Sequence, residues 1–383
     1  MVLGLTLATL LGLALAAEAA GIDPASYLQP QVNAPTYHVN DIWTKHTHLP
    51  NFAEITRCAG DTFNVLPKEY DPAFKNPCWN DGTAFKCLPY FQILGVSKCG
   101  TTDLYNRLKE HRDMVDCSWK GPHFWDESAF PTHQHRPGKY DGSFPAYVNI
   151  FDKPAERIKA NKNAITGEAS SNTFTGVFSH LRGRTLAKRT NATLAQYLFE
   201  ATPWARYIVL MRDPVTRYRS AYFYYRSKKL PRASDKEFLE KVIDDTNKWK
   251  DCVKEFGGHH HCLMQYEPQQ LVKGMYAEFI PGWLEVFPRD RFLFMRTEDY
   301  KAAPVEHVVA TMKFLGLSDL TPAEVEEIRK LEAKNSQAQK YNDATNESQE
   351  LATAFRLLRD FYRPFNQALS KFFDNDPRWL WGY

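Results

Sequence analysis

Residues 88–111 read LPYFQILGVSKCGTTDLYNRLKEH, and this stretch decides the fold. Residues 88–96 are a short, mostly apolar run with aromatic and β-branched members, the signature of a buried strand. Gly95, Gly100 and the polar residues between them interrupt the run, and helical spacing then resumes over 101–111 through Leu104, Leu108 and His111. Strand, tight loop and helix in that order aim backbone N–H groups and the positive end of a helix dipole at one point, which suits a phosphate. Lys98 adds a full charge, and Thr101 and Thr102 add hydroxyl donors. A Walker loop carries its lysine after the second glycine. Here Lys98 precedes Gly100, so the ATPase reading fails.

Further apolar runs follow, each separated from the next by a helical segment. A second strand is expected ahead of Cys117, others at 164–168 and 205–211, and a fifth at 291–295. Helices are expected at 155–160, 266–287, 305–315 and 322–333, with a last one over 348–373 interrupted at Pro364. Strands alternating with helices argue a three-layer α/β domain with a central, mainly parallel sheet. Ligands bind such a sheet outside the carboxyl ends of its strands, so residues 167–173, GEASSNT, look into the same crevice as Lys98. The run at 205–211 ends in RDPVTRYRSAYFYY, residues 212–225. Asp213 suits an N-cap and Pro214 a first helical position, which holds Arg212 at a strand end where its planar fork can grip a phosphate. Ser220, two turns into the helix, can donate to the same group.

At this point the chain resembles the sulfotransferases that use 3′-phosphoadenosine 5′-phosphosulfate (PAPS). CLPYFQILGVSKCGTTDLY looks like the Golgi carbohydrate sulfotransferases, and in particular the branch of N-acetylgalactosamine 4-sulfate 6-O-sulfotransferases. FKNPCW at 74–79 and LLRDFYRPFNQAL at 357–369 resemble the same branch, as do Gly274, Tyr276 and Trp283. The resemblance implies a P-loop-like sulfotransferase fold. It makes 97–102, with Lys98, Cys99, Gly100, Thr101 and Thr102, the loop for the 5′ phosphosulfate, and Arg212 with Ser220 the 3′-phosphate motif. Lys340, in a late polar loop over 335–347, is the candidate to close over the nucleotide. PAPS is then the co-substrate and a sulfated galactosaminoglycan, such as chondroitin or dermatan sulfate, the acceptor, at the 6-hydroxyl of N-acetylgalactosamine 4-sulfate. No acidic set placed for magnesium is evident, so no metal is expected. Lys98 would stabilise the leaving phosphate and Lys120 would support it.

The proton acceptor is where the sequence departs from that pattern. The related enzymes carry a glutamate in a Lys-Glu-Pro-His or Glu-Val-His context, but here the stretch is Lys120-Gly121-Pro122-His123. Three readings stand: His123 is the base, a carboxylate such as Glu127 or Glu168 replaces it, or PAPS is bound without efficient turnover.

Composition sets outer bounds. The chain has 383 residues, 43% hydrophobic and 14% aromatic, with a formal net charge of +3, which excludes wholesale disorder and gives no sign of a nucleic-acid partner. Basic clusters at 182–189 and 226–232 suit a polyanion or an ordinary solvated face. Residues 1–17 are apolar and uncharged, with a small-x-small pattern at 17–19, as in a signal peptide or membrane anchor. The expected organisation is therefore targeting segment 1–20, stem or linker 21–60 and luminal domain 61–383. The localisation would be the Golgi lumen, as a type II membrane protein or a secreted one. Sequons at Asn191 and Asn346 are compatible with that route.

Seven cysteines in an oxidising compartment suggest disulfides. The family resemblance leaves Cys99 as the free one, so six remain to pair: Cys58, Cys78, Cys87, Cys117, Cys252 and Cys262. Cys252 with Cys262 is the pair that Gly257 and Gly258 favour. That disulfide is preferred to a zinc site built from 259–261 and Cys262, because consecutive side chains diverge.

Overall fold

The computed structural model describes residues 25–32, 37–126, 140–177, 191–226, 234–331 and 348–383. Its framework is a five-stranded, wholly parallel sheet. A hairpin of β1 (Cys78–Asn80) and β2 (Phe85–Cys87), closed by the Cys78–Cys87 disulfide, precedes it. The sheet strands are β3 (Phe91–Gly95), β4 (Met114–Val115), β5 (Ile165–Glu168), β6 (Arg206–Met211) and β7 (Phe292–Arg296), in the order β4-β5-β3-β6-β7. Every residue of β3 to β7 is buried, which is why they read as continuous apolar runs rather than alternating ones. The strand order reverses at β3, the strand that feeds the phosphate loop, so the crevice of this sheet opens where that loop lies.

The helices that matter below are α1 (Thr101–Leu108), α2 (Asp152–Ala160), α3 (Leu194–Ala201), α4 (Pro214–Arg226), α5 (Asp235–Phe256), α6 (Tyr276–Leu284), α7 (Pro304–Phe314), α8 (Pro322–Lys330) and α9 (Gln349–Phe372). They make three layers with the sheet in the middle. On one face Trp283 of α6 packs on Tyr207 of β6 and Phe292 of β7. On the other, Thr311 of α7 lies 3.9 Å from the Met295 sulfur. Two glycines are set by close approach. A Cβ on Gly167 would fall 2.3 Å from the Phe91 ring, and one on Gly274 would fall 2.7 Å from the Tyr362 ring of α9.

Four expectations change. Helix α9 runs unbroken through Pro364, which lies on its exposed face, where solvent can take the carbonyl that the proline leaves without an N–H. The helix expected over 266–287 splits into Gln269–Val272 and α6 around Gly274. Among the described cysteines there are two disulfides rather than three, Cys78–Cys87 and the expected Cys252–Cys262, while Cys99 and Cys117 are buried thiols. Residues 25–32 and 37–58, within the stretch expected to be a linker, pack on the domain. Ala25, Leu28, Val32, Val39 and Ile55 belong to its core, and Tyr27 Oη accepts from the Arg296 backbone N–H at 3.0 Å.

Candidate active site

The phosphate loop is built by two left-handed residues, Lys98 at φ +73° and Gly100 at φ +93°. The Val96 N–H donates to the Leu210 carbonyl at 2.8 Å, and the Cys99 N–H closes a turn onto the Val96 carbonyl at 3.0 Å. The Cys99 side chain points into the core, and burial pushes its thiol up to about 11. Cys99 therefore shapes the loop: its thiol faces away from the crevice and its N–H is already bonded. Thr297 Oγ1 donates to its carbonyl at 2.7 Å, tying the loop to the end of β7. Gly100 then caps α1, so Thr101 and Thr102 supply the first N–H groups of the helix, which have no intrahelical acceptor.

Asp213 and Pro214 start α4 as the sequence suggests. The Asp213 carboxylate accepts from the N–H groups of Val215 at 3.1 Å and Thr216 at 3.4 Å. Arg212 is thereby set beside the loop. Its Nε donates to Thr216 Oγ1 at 3.0 Å, and one Nη lies 3.5 Å from the Lys98 carbonyl. Lys98 Nζ sits 3.6 Å from the centre of the Tyr224 ring. Thr216, Ser220 and Tyr224 follow one another at four-residue intervals on one face of α4, so Ser220 stands between a contact to Arg212 and a contact to Lys98. The two anion motifs, far apart in sequence, thus share one crevice. Lys301, on the helix after β7, is exposed, and loss of solvation together with the Arg212 guanidinium holds its ammonium below the ordinary lysine range.

The second half of the site lies at the end of β5, next to β3 in the sheet. Gly95 lets the 170–173 turn press on the loop strand, since a Cβ there would come 2.9 Å from the Ser171 carbonyl. His123 has φ +53° and its N–H donates to Ser170 Oγ at 2.9 Å. Its Nδ1 lies 2.9 Å and 3.0 Å from the two oxygens of the buried Asp126 carboxylate, which also accepts from Thr173 Oγ1 at 2.8 Å. Nδ1 is therefore the protonated nitrogen of the neutral ring, which makes Nε2 the basic one. A Cβ on Gly121 would fall 3.6 Å from that Nε2, so the imidazole lies beside the position at which this stretch departs from the pattern it resembles. Glu168 is fully buried, and Ser170 Oγ donates to its Oε2 at 2.6 Å. Burial pushes its carboxyl up to about 7, against the pull of Ser170 and His123. Lys120 Nζ donates to the Ala169 carbonyl at 3.2 Å, and burial draws it down to about 8 although Glu168 opposes the shift. Glu168 and Lys120 are thus inward groups bordering His123. Lys340 and Glu127 lie outside the described residues, as do 178–190 and the 133–139 part of the 133–147 loop.

The chain matches the sulfotransferase domain family over residues 89–376. It belongs to the sulfotransferase family. The carbohydrate sulfotransferase 15 of Rattus norvegicus is 26% identical over 396 residues, covering 86% of this chain and 69% of that protein. The Homo sapiens protein of the same name is 27% identical over 391 residues, covering 84% and 68%. A sulfotransferase of known structure from Alicyclobacillus acidocaldarius aligns over 76% of this chain and 99% of its own, at 24% identity and a TM-score of 0.48. The sequence reading did not single out Asp126, Thr216, Tyr224 or Lys301, which the structure sets around the candidate residues. Two carried a signal: His-x-x-Asp puts a carboxylate one turn from His123, and Arg212 and Thr216 stand four residues apart.

Proposed function

We propose that this sulfotransferase moves the sulfuryl group of PAPS to a glycan hydroxyl, with His123 as the base. The observation that carries the reading is that Arg212 reaches the Lys98 backbone across the ends of β3 and β6, with the His123–Asp126 pair at the end of the neighbouring β5. Two cationic seats suit a nucleotide with phosphate at both its 5′ and 3′ positions, and the donors at the start of α1 suit the bridging end. The acceptor oxygen attacks sulfur in line while the bond from sulfur to the 5′-phosphate oxygen breaks. The hydroxyl proton passes to His123 Nε2, and Asp126 balances the imidazolium that forms. Lys98 neutralises the charge growing on the leaving phosphate, which requires it to leave the Tyr224 ring. Lys120 and Glu168 keep the pocket wall polar but inward.

The acceptor follows from kinship: a sulfated galactosaminoglycan, at the 6-hydroxyl of N-acetylgalactosamine 4-sulfate. The same kinship carries the Golgi lumen and an N-terminal targeting segment over 1–20. Among the described residues no helix is long and apolar enough to cross a bilayer. Incubation with labelled PAPS and a panel of chondroitin, dermatan and heparan chains is the test. Label on the galactosaminoglycans supports the reading; label on heparan alone changes the acceptor. Nucleotide binding without label on any chain makes the protein a non-catalytic relative.

A further inference from the structure

Away from the crevice, three side chains of different elements meet at one point. His46 Nε2 lies 3.1 Å and His48 Nδ1 2.7 Å from Glu200 Oε2, and the three atoms fall within 4.8 Å of one another. Glu200, on α3 just ahead of β6, is completely buried, the His46 side chain is nearly so, and that of His48 is half exposed. The rings are held in place: His48 stacks on Phe52 at 3.6 Å between centroids, and His46 meets Phe199 edge-on at 4.7 Å. The other Glu200 oxygen, Oε1, accepts from the Leu49 N–H at 2.6 Å, so the carboxylate is held from two sides with Oε2 turned to the imidazoles.

A buried anion needs a counter-charge. The groups that hold Glu200 are a backbone N–H and two imidazoles, and an imidazole carries charge only when protonated. A divalent ion at the meeting point would supply the charge and replace the imidazole protons. We propose that His46, His48 and Glu200 form a structural site for a divalent transition metal of the zinc class. Zinc with bonds of about 2.0–2.1 Å in tetrahedral geometry sets neighbouring ligand atoms about 3.3 Å apart. His46 is already near that spacing, and half-exposed His48 needs to back away by about half an ångström. The fourth vertex faces the open side of His48 and takes water. Two imidazoles and one carboxylate select zinc over magnesium or calcium, which want oxygen. Because Glu200 sits before β6 begins, the ion is remote from the strand ends where transfer occurs. It would pin the 37–52 segment to α3.

The test uses the full chain, stripped with a chelator, then titrated with zinc against a chromophoric competitor at neutral pH. The expected result is one zinc per chain, with affinity at least about 100-fold lower in His48→Gln, which keeps a hydrogen-bond donor toward Glu200. Replacing the exposed His259, His260 and His261 together by glutamine leaves that zinc in place. X-ray absorption on the zinc-loaded wild type, which needs no variant, shows a shell of nitrogen and oxygen with two imidazoles. No stoichiometric zinc, affinity unchanged in His48→Gln, loss only with 259–261 replaced, or sulfur in the shell overturns the proposal.

Discussion

Replacing Asp126 by asparagine separates the charge of the His123 partner from its shape. In the wild type the carboxylate takes the Nδ1 proton at 2.9 Å and the Thr173 hydroxyl at 2.8 Å. Thr173 Oγ1 also lies 3.0 Å from the Ser170 carbonyl, so its hydrogen can turn there and let its oxygen accept from an asparagine amide. The asparagine oxygen then still receives Nδ1–H, and the tautomer survives while the negative charge is gone. The charge removed is the one that faces the imidazolium as it forms in the transition state. With that stabilisation gone, kcat should fall by about 10- to 100-fold across the profile while the KM for PAPS changes little. His123→Ala, which removes the base, should cost about 10²–10⁴ in kcat, or roughly 3–5 kcal/mol, with little change in the KM for PAPS. The assay is sulfuryl transfer from labelled PAPS between pH 5 and 9. An Asp126→Asn profile that overlies the wild type, or an active His123→Ala, refutes the reasoning.

Arg212→Ala should weaken PAPS binding by about 1.5–3 kcal/mol, roughly 10- to 150-fold in KM, while Lys98→Ala should act mainly on kcat; initial-rate kinetics separate the two. Gly167→Ala pushes a methyl into the Phe91 ring and should cost about 1–3 kcal/mol in urea unfolding, with no midpoint shift counting against the packing argument. Glu168 ionises near 7 when folded and near 4.5 when unfolded, so the native state binds the extra proton between those values. Wild-type stability should accordingly fall by about 3 kcal/mol, relative to Glu168→Gln, as pH rises from 4.5 to 7, and stay flat below that window. Parallel stability curves would remove the burial account of that carboxyl.

The sheet was legible because its strands are covered on both faces, and apolar runs such as 206–211 leave a mark that no partner has to explain. The start of α4 was legible because Asp213 and Pro214 satisfy the helix end locally. The Cys252–Cys262 pair was legible for the same reason, being closed over a short span. What escaped depends on distant partners. The helices before residue 64 run three to seven residues, too short to show a period, and they are fixed only by what they pack on. Nothing in a one-dimensional reading shows that Tyr224 stacks on Lys98, or that β5 sets Ser170 under the His123 N–H. Pro364 misled because its helix-breaking tendency weakens where one side of the helix faces water.

The N-terminal segment has a practical consequence for anyone shortening this enzyme. A version starting at residue 61 would lack Leu28, Val32, Val39 and Ile55, four aliphatic side chains that the domain encloses. At about 1.5–3 kcal/mol each they contribute roughly 6–12 kcal/mol, comparable to the whole margin by which a typical domain stays folded. Trimming that looks harmless by homology would thus bare apolar surface, beside β7 where residues 26–32 lie and elsewhere on the domain, and should make the shortened protein prone to aggregate.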